Sequence, residues 1–167
     1  MTSPNAVVFG LSGTDLTADE RAFLRDADPL GFILFARNLG GAAQIRRLTA
    51  ELRDVVGRAD APVLIDQEGG RVMRLRPPDW PFAPAARDVA VLYARAPEQG
   101  IAAAEDVGRM FGVMMTDLGI DVVCAPVLDL GLPETTDAIG TRAYAADPET
   151  VATLGGARAR GLMREGC

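Results

Sequence analysis

Short apolar runs alternate with longer stretches of helical periodicity along the whole sequence, and this alternation limits the folds that the chain can adopt. The runs are rich in Val, Ile, Leu and Phe, and they occupy residues 6–11, 30–35, 61–65 and 121–128. Near-continuous apolar runs of this length are typical of strands buried on both faces of a parallel sheet. The sequence therefore predicts four strands with helices between and after them.

Start and stop signals mark four helices. They are a capping box, a glycine at a helix end, and prolines at the first helical position. The residues that carry these signals are Thr17 with Glu20, Ala42 up to Gly57, Pro97 up to Gly119, and Asp147 with Pro148.

The resulting order β-α-β-α-β-α-β-α predicts an α/β fold in which helices cover a parallel sheet. Two architectures fit this order: an open doubly wound sheet, and a (β/α)₈ TIM-type barrel of which the chain supplies about the first four units. A complete barrel usually takes ~250 residues, so four units in 167 residues are about half of one. No linker divides the chain, and we expect one domain.

The composition excludes several classes of function. A net charge of −6 argues against a nucleic-acid partner, because binding phosphates needs a basic surface. All 17 basic residues are arginine and the sequence has no histidine, so it can form neither a Schiff-base lysine nor a histidine-dependent nucleophile. We expect neither a metal nor an organic cofactor.

The sequence carries no membrane or secretion signal. No stretch approaches the ~20 apolar residues of a membrane-spanning helix, and the first ten residues lack the charged and apolar regions of a signal peptide. Cys124 and Cys167 make no disulfide framework. We therefore expect a cytoplasmic protein without a membrane partner.

The third apolar run ends in DQEGGRVMR, residues 66–74, which brings two carboxylates, two glycines and two arginines to the sheet edge. Ligands bind at the carboxyl ends of the strands in both candidate architectures. Carboxylates accept hydrogen bonds from paired hydroxyls and guanidinium groups donate a rigid fork, so this set suits a polyhydroxylated sugar. An Asp–Arg ion pair that only stabilises the turn would explain the same residues.

A long irregular loop follows the fourth run, and such a loop is usually functional or mobile. It carries Arg142, which could reach the ligand site or be an ordinary solvated arginine. Asp129 could orient Arg142 or cap a turn. Residues 35–38, after the second run, could border the site or form a surface turn. The glycine spacing matches no phosphate-binding loop.

Four blocks of sequence, GFILFARN, VLIDQEGGRVMRLR, APVLDL and IGTRAY, occur in this order and resemble the bacterial β-N-acetylglucosaminidases of glycoside hydrolase family 3. The resemblance spans nearly the whole chain, and IDQEGGRVMR is its most specific part. It implies a (β/α)₈-type barrel that removes terminal β-linked N-acetylglucosamine from peptidoglycan fragments in cell-wall recycling. The implied partner is a small carbohydrate, an N-acetylglucosamine-containing muropeptide.

The resemblance also implies roles for three residues: Asp66 holds sugar hydroxyls, and Arg74 and Arg142 contact the sugar. Family members continue into a strand with a Lys-His pair, then a His-Asp acid/base pair and later an aspartate nucleophile. None of these motifs occurs in this sequence. We therefore expect residues 1–167 to be the N-terminal portion of one barrel domain, lacking the C-terminal half and inactive alone.

A retaining glycosidase needs two catalytic groups that flank the scissile bond, roughly 5 Å apart when both are carboxylates. Asp66 and Glu68 lie on one turn and would not straddle a sugar ring, so no catalytic residue is assigned. Two other functions remain open: an inactive sugar-binding half-barrel module, and a flavodoxin-like regulatory domain. The second lacks the phosphate loop that it needs.

Overall fold

The structure of the protein, a computed structural model, describes residues 3–167. Its α-helices are α1 (Ala18–Ala27), α2 (Ala42–Val56), α3 (Ala86–Arg95), α4 (Pro97–Asp117) and α5 (Pro148–Arg164). Its strands are β1 (Asn5–Gly10), β2 (Pro29–Leu34), β3 (Val63–Ile65), β4 (Gln67–Gly69), β5 (Val72–Met73) and β6 (Val122–Val123). Short 3₁₀ turns occupy Ala36–Asn38 and Gly140–Arg142.

Four strands form one parallel sheet in the order β1-β2-β3-β6, which confirms the predicted α/β fold class. In this sheet Phe9 lies beside Phe32, Phe32 beside Val63, and Ile65 beside Val123. A doubly wound sheet reverses its strand order at one point, whereas this order follows the sequence from one edge to the other. The strands are therefore arranged like the first four units of a (β/α)₈-type barrel.

One face of the sheet packs against the helices and is largely buried, and the other is partly exposed. Side chains on the buried face, such as Phe32, Leu34 and Val63, are 0% exposed and pack under α1, α2 and α4. On the opposite face Val8 is 37% exposed and Val122 is 39% exposed. The prediction that the strands are buried on both faces is thus wrong for residues 3–167. In a closed barrel the open face would be the interior.

The last strand is much shorter than predicted. The apolar run 121–128 gives only the two residues of β6, because the backbone leaves the sheet after Cys124. The N–H of Cys124 still donates to Ile65, but that of Ala125 donates back to Val123, and Pro126 has no N–H to offer. The rest of the run lines the loop that follows.

The predicted helix signals are confirmed. Thr17 and Glu20 form a capping box at the start of α1, and Gly57 ends α2 in the left-handed conformation. Pro97 occupies the first turn of α4. The Asp147 side chain accepts a 2.8 Å hydrogen bond from the N–H of Thr150 at the start of α5.

Two elements were not predicted. The segment after Asp66 forms an antiparallel ribbon of β4 and β5, and the helix α3 precedes α4. Helix α3 buries Ala86, Val89 and Ala90 in a second apolar cluster with α4 and α5, apart from the main core. The segment from β3 to α4 therefore forms a ribbon, a loop and an additional helix.

Helices α4 and α5 are in close contact because glycines face each other. A Cβ on Gly161 would lie 2.1 Å from the carbonyl oxygen of Glu105, and one on Gly108 would lie 2.2 Å from that of Arg158. The two backbones thus touch without side chains between them. None of the helices within residues 3–167 is long and apolar enough to cross a membrane.

Candidate functional site

The candidate site lies at the carboxyl edge of the parallel sheet, where β3 ends. Asp66 is the first residue after β3, and the β4–β5 ribbon begins at the next position. Gly69 has a φ of 98°, and a Cβ there would lie 2.3 Å from the carbonyl oxygen of Pro84. A glycine is therefore needed for the ribbon to turn against the 76–85 loop.

Asp66 and Arg74 form an ion pair across the ribbon. The Arg74 Nη2 donates to Asp66 Oδ2 at 2.7 Å, and the two side chains are 28% and 25% exposed. The Arg74 guanidinium also lies 5.9 Å from the ring centre of Phe35, in the loop after β2. Its Nε is buried without a hydrogen-bond partner among residues 3–167. Both members of the pair keep hydrogen-bonding capacity for a further group.

The fully buried Gln67 side chain holds the backbone at Arg74 in place. Its amide oxygen accepts from the N–H of Arg74 at 2.8 Å and of Leu75 at 3.1 Å. Its amide nitrogen donates to the carbonyl of Leu75 at 2.9 Å. The backbone position of Arg74 is therefore set by a side chain of the same motif.

Glu68 and Arg142 form a second, bidentate ion pair. Arg142 Nε and Nη2 donate to the two oxygens of Glu68, each at 2.7 Å. The Glu68 side chain is 9% exposed and that of Arg142 is 27% exposed. Hydrogen bonding to Glu68 raises the pKa of Arg142, and the charges of Asp129 and Asp66 act in the same direction. Arg142 thus remains a cation held in one orientation.

Arg71 connects the β4–β5 ribbon by hydrogen bonds to the loop that carries Arg142. Its Nη2 donates to the backbone carbonyls of Asp137 at 2.9 Å and Ile139 at 3.2 Å, and also to that of Ala138. The long loop after β6 is therefore held by backbone contacts to one arginine as well as by the Glu68–Arg142 pair.

Cys124 lies beside Asp66 at the end of β6. Burial raises the pKa of its thiol, and the negative charges of Asp66 and Glu68 raise it further. The thiol is therefore protonated at neutral pH and adds no negative charge to the site.

Behind the second ion pair is a small cavity of ≈ 10 Å³, lined by Glu68, Arg142, Ala125, Thr141 and Arg158 among others. A cavity of this size holds at most about one water molecule. A sugar ring cannot enter it. A saccharide that contacts Asp66, Arg74 and Arg142 must therefore lie on the open side of these residues.

The site contains no free pair of carboxylates. Asp66 and Glu68 are each paired with an arginine, and within residues 3–167 no group of three His, Cys, Asp or Glu side chains could hold a metal ion. The chain has neither histidine nor lysine. The chemistry that these residues can perform is the recognition of hydroxyl, carbonyl or anionic groups by fixed guanidinium and carboxylate groups.

The structure brings the three residues predicted to bind sugar to one edge of the sheet. Asp66 and Arg74 are paired, and Asp66 is close enough to Arg142 for its charge to raise the pKa of that guanidinium. Asp129 is exposed, and the residue that orients Arg142 is Glu68, which sequence reasoning did not assign as its partner. Phe35 does border the site.

Gln67 and Arg158 were also missed. Gln67 gave no signal beyond its place in the motif. For Arg158 a signal existed: it falls at helical spacing between Leu154 and Leu162 on the apolar face of α5, where an arginine is unexpected.

Comparison with known proteins agrees with this description. A family model described as the glycosyl hydrolase family 3 N terminal domain matches residues 6–167. A beta-hexosaminidase from Stenotrophomonas maltophilia is 37% identical over 160 residues, which are 96% of this chain and 47% of the relative. The chain thus spans about half the length of the curated relatives that it matches.

Solved structures are similar to this chain over nearly all of its length. The structure superposes with a TM-score of 0.90 and 32% identity on NagZ from Neisseria gonorrhoeae in complex with N-trifluoroacetyl-D-glucosamine, covering 98% of this chain and 48% of that one. A family 3 β-N-acetylglucosaminidase from a Paenibacillus species gives a TM-score of 0.82 at 29% identity, covering 95% of this chain and 29% of that one.

Proposed function

The chain belongs to glycosyl hydrolase family 3, and from this premise we propose that it forms the sugar-binding N-terminal portion of a β-N-acetylhexosaminidase barrel. Residues 1–167 are one portion of a single barrel domain in this proposal. The observation that carries it is the pair of arginine–carboxylate contacts, Asp66–Arg74 and Glu68–Arg142, at the carboxyl edge of the sheet.

Three side chains contact the sugar in the proposal. Asp66 accepts hydrogen bonds from hydroxyl groups, and Arg74 and Arg142 donate to sugar oxygens. Each guanidinium is already oriented by a carboxylate, so little conformational entropy is lost when a saccharide binds. The partial exposure of all three side chains, each between 25% and 28%, supports their access to a ligand.

The catalytic groups of the proposed retaining mechanism come from outside residues 1–167. Such a mechanism needs a nucleophile and an acid/base on opposite sides of the scissile bond. Both carboxylates of the motif are ion-paired here, and the chain lacks histidine and lysine. We assign both roles to a C-terminal half of the barrel that packs against the open face of the sheet.

The proposed substrate is a peptidoglycan fragment with a terminal β-linked N-acetylglucosamine, and the proposed compartment is the cytoplasm. Two solved relatives support the sugar: NagZ from Neisseria gonorrhoeae is in complex with N-trifluoroacetyl-D-glucosamine, and the Paenibacillus protein is a β-N-acetylglucosaminidase. The free thiols of Cys124 and Cys167 support a reducing compartment.

Hydrolysis of 4-nitrophenyl N-acetyl-β-D-glucosaminide tests the proposal. We compare the 167-residue chain with the full-length protein, by which we mean this chain with any residues that its gene encodes beyond Cys167. The full-length protein is expected to hydrolyse the substrate with retention at the anomeric carbon, without added metal or organic cofactor. The 167-residue chain is expected to stay at the uncatalysed background.

Two outcomes would contradict the proposal. One is a full-length protein that binds and hydrolyses no β-N-acetylglucosaminide. The other is turnover by the 167-residue chain that survives purification and disappears in the Glu68→Gln variant, because that result would make Glu68 a catalytic carboxylate.

A further inference from the structure

Arg158 is a buried cation on α5, directly behind the candidate site. It is 1% exposed and belongs to the buried face of the helix, whose other members are small or apolar: Val151, Leu154, Gly155, Ala157, Gly161 and Leu162. A charged side chain on such a face is rare unless it has a partner.

The contacts of Arg158 lead to the backbone of the ribbon. Its Nη2 donates to the carbonyl oxygen of Glu68 at 2.7 Å, and its guanidinium lies 4.9 Å from the ring centre of Phe111. The Tyr144 hydroxyl is also near, since the positive charge of Arg158 counteracts the effect of burial on the pKa of Tyr144. Arg158 thus connects α5 and α4 to β4.

Stability alone does not explain a cation at this position. Burial lowers the pKa of Arg158, its Nε has no hydrogen-bond partner, and no carboxylate forms a salt bridge with it in the part of the chain that the structure describes. A buried charge without a charged partner is costly to remove from water.

We propose that Arg158 is a positioning residue, which fixes the Glu68 peptide from behind so that the Glu68 carboxylate holds Arg142 in its sugar-binding orientation. The connection runs from the Arg158 guanidinium to the Glu68 carbonyl, and from the Glu68 carboxylate to both nitrogens of Arg142. Arg158 itself does not touch the open side of the site, because it is buried. The inference rests on the proposed function for the role of Arg142.

A double-mutant cycle in the full-length protein tests this connection. Arg158→Met keeps an unbranched apolar side chain, shorter than that of arginine, and loses the donor, and we expect it to lower kcat/KM roughly ten- to hundred-fold, as small displacements of positioning groups do. In an Arg142→Ala background the same change is expected to cost little, since its target is gone. Arg160→Met is the matched control: this arginine is on the same helix but 56% exposed, and its removal is expected to leave kcat/KM unchanged.

The split between KM and kcat adds a second criterion. Arg158→Met should change KM and kcat in the same proportions as Arg142→Ala does, but by smaller factors. A packing defect would instead lower the folded fraction and leave the KM and kcat of the folded molecules unchanged. Equal losses from Arg158→Met in both backgrounds would overturn the proposal. So would wild-type kinetics in Arg158→Met when Arg142→Ala is impaired. If Arg158→Met does not fold, Arg158→Lys takes its place, because lysine keeps the positive charge and a single donor nitrogen. We then expect an intermediate loss of kcat/KM that occurs in the wild-type background and not in the Arg142→Ala background.

An NMR signal that does not depend on activity separates this proposal from the proposed function. The Nε–H of Arg142 donates to Glu68, so its ¹H–¹⁵N signal should be protected from solvent exchange and identifiable by its loss in Arg142→Lys. Arg158→Met is expected to remove this protection and Arg160→Met to leave it. If the protein hydrolyses nothing or Arg142→Ala has wild-type kinetics, the proposed function fails, but the NMR result still decides whether Arg158 positions Arg142. Protection that persists in Arg158→Met would overturn the inference.

Discussion

At the scale of residues, the site is organised by carboxylates that orient guanidinium groups. Asp66 holds Arg74 and Glu68 holds Arg142, so each arginine is oriented by a carboxylate while its side chain stays partly exposed. The sequence predicted that Asp66 and Arg74 lie at the sheet edge, because their motif follows a strand and ligands bind where parallel strands end. The same reasoning left Arg142 open between the site and solvent, and only the family resemblance implied that it contacts the sugar. The sequence could not predict the partner of Arg142, since Glu68 and Asp129 have the same charge and the choice depends on tertiary distances.

The residue-scale prediction concerns sugar recognition. In the full-length protein Asp66→Ala, Arg74→Ala or Arg142→Ala should each lower kcat/KM, because each removes charge-assisted hydrogen bonds worth ~1.5–3 kcal/mol. The expected loss is roughly ten- to two-hundred-fold per residue. Arg47→Ala is the control, since Arg47 pairs with Asp15 on the exposed surface and its side chain is 57% exposed. Wild-type kinetics in Arg142→Ala would mean that its loop does not contact the substrate.

At the scale of elements, helix ends were predictable and additional elements were not. Capping residues such as Thr17 and Asp147 act through hydrogen bonds to neighbouring N–H groups, so their signal is local. Helix α3 is stabilised by a small apolar cluster that involves the adjoining α4 and also Tyr144 and α5, which lie more than fifty residues beyond Ala90. The extent of β6 likewise depends on where the backbone leaves its partner strand. Such contacts between distant segments leave little trace in local periodicity.

The first element-scale prediction is a difference in stability between two glycines of α5. Gly161→Ala should destabilise the protein by about 1–3 kcal/mol, because its Cβ would meet backbone atoms of α4. Gly156→Ala should stabilise it by up to about 1 kcal/mol, because the nearest atom is a flexible Arg160 side chain at 3.5 Å and alanine is the better helix former. Urea unfolding of both variants measures the difference. Equal effects would show that α4 and α5 are not in close contact.

The second element-scale prediction is a pH dependence at the start of α1. Burial favours protonated Glu20, but the hydrogen bonds from the N–H groups of Thr17 and Ser12 together outweigh it and lower its pKa from 4.5 to about 2. The stabilisation by ionised Glu20 is therefore fully present above about pH 5 and is lost as the pH falls towards 2.

Glu20→Gln provides the measurement for this pH dependence. Its Tm should lie a few degrees below the wild-type Tm at pH 6, and the gap should shrink by pH 3. Asp19→Asn, which is in the same helical turn outside the capping box, should show a smaller pH-dependent gap. A Glu20→Gln gap that is constant with pH would mean that the carboxylate charge plays no part in the cap.

At the scale of the whole molecule, the sheet has two parallel edges and one uncovered face. β1 and β6 each pair with a single neighbour, and Val8 and Val122 are exposed on the open face. Unpaired strand edges and exposed apolar surface both favour association. We therefore expect the 167-residue chain alone to be molten, aggregated or paired edge to edge as a dimer.

Sedimentation velocity together with thermal unfolding checks this expectation. Val122→Lys should weaken association because it places a charge on β6 at the edge of the sheet. Val113→Lys is the control: Val113 is 54% exposed on α4, and the same charge there should have little effect. A monodisperse wild-type monomer with one sharp, cooperative transition would show that these 167 residues close their own core.

The Glu68–Arg142 pair has a consequence for the order in which the molecule assembles. Its two members are 74 residues apart in the chain, so their contact closes a long loop, and two hydrogen bonds do not offset the entropy of that closure by themselves. The contact can persist only after α3, α4 and β6 have brought the two segments together. During synthesis the ribbon leaves the ribosome before Arg142 does, and Glu68 then lacks this partner. Ligand-binding competence is therefore acquired late in folding, after most of the backbone is in place.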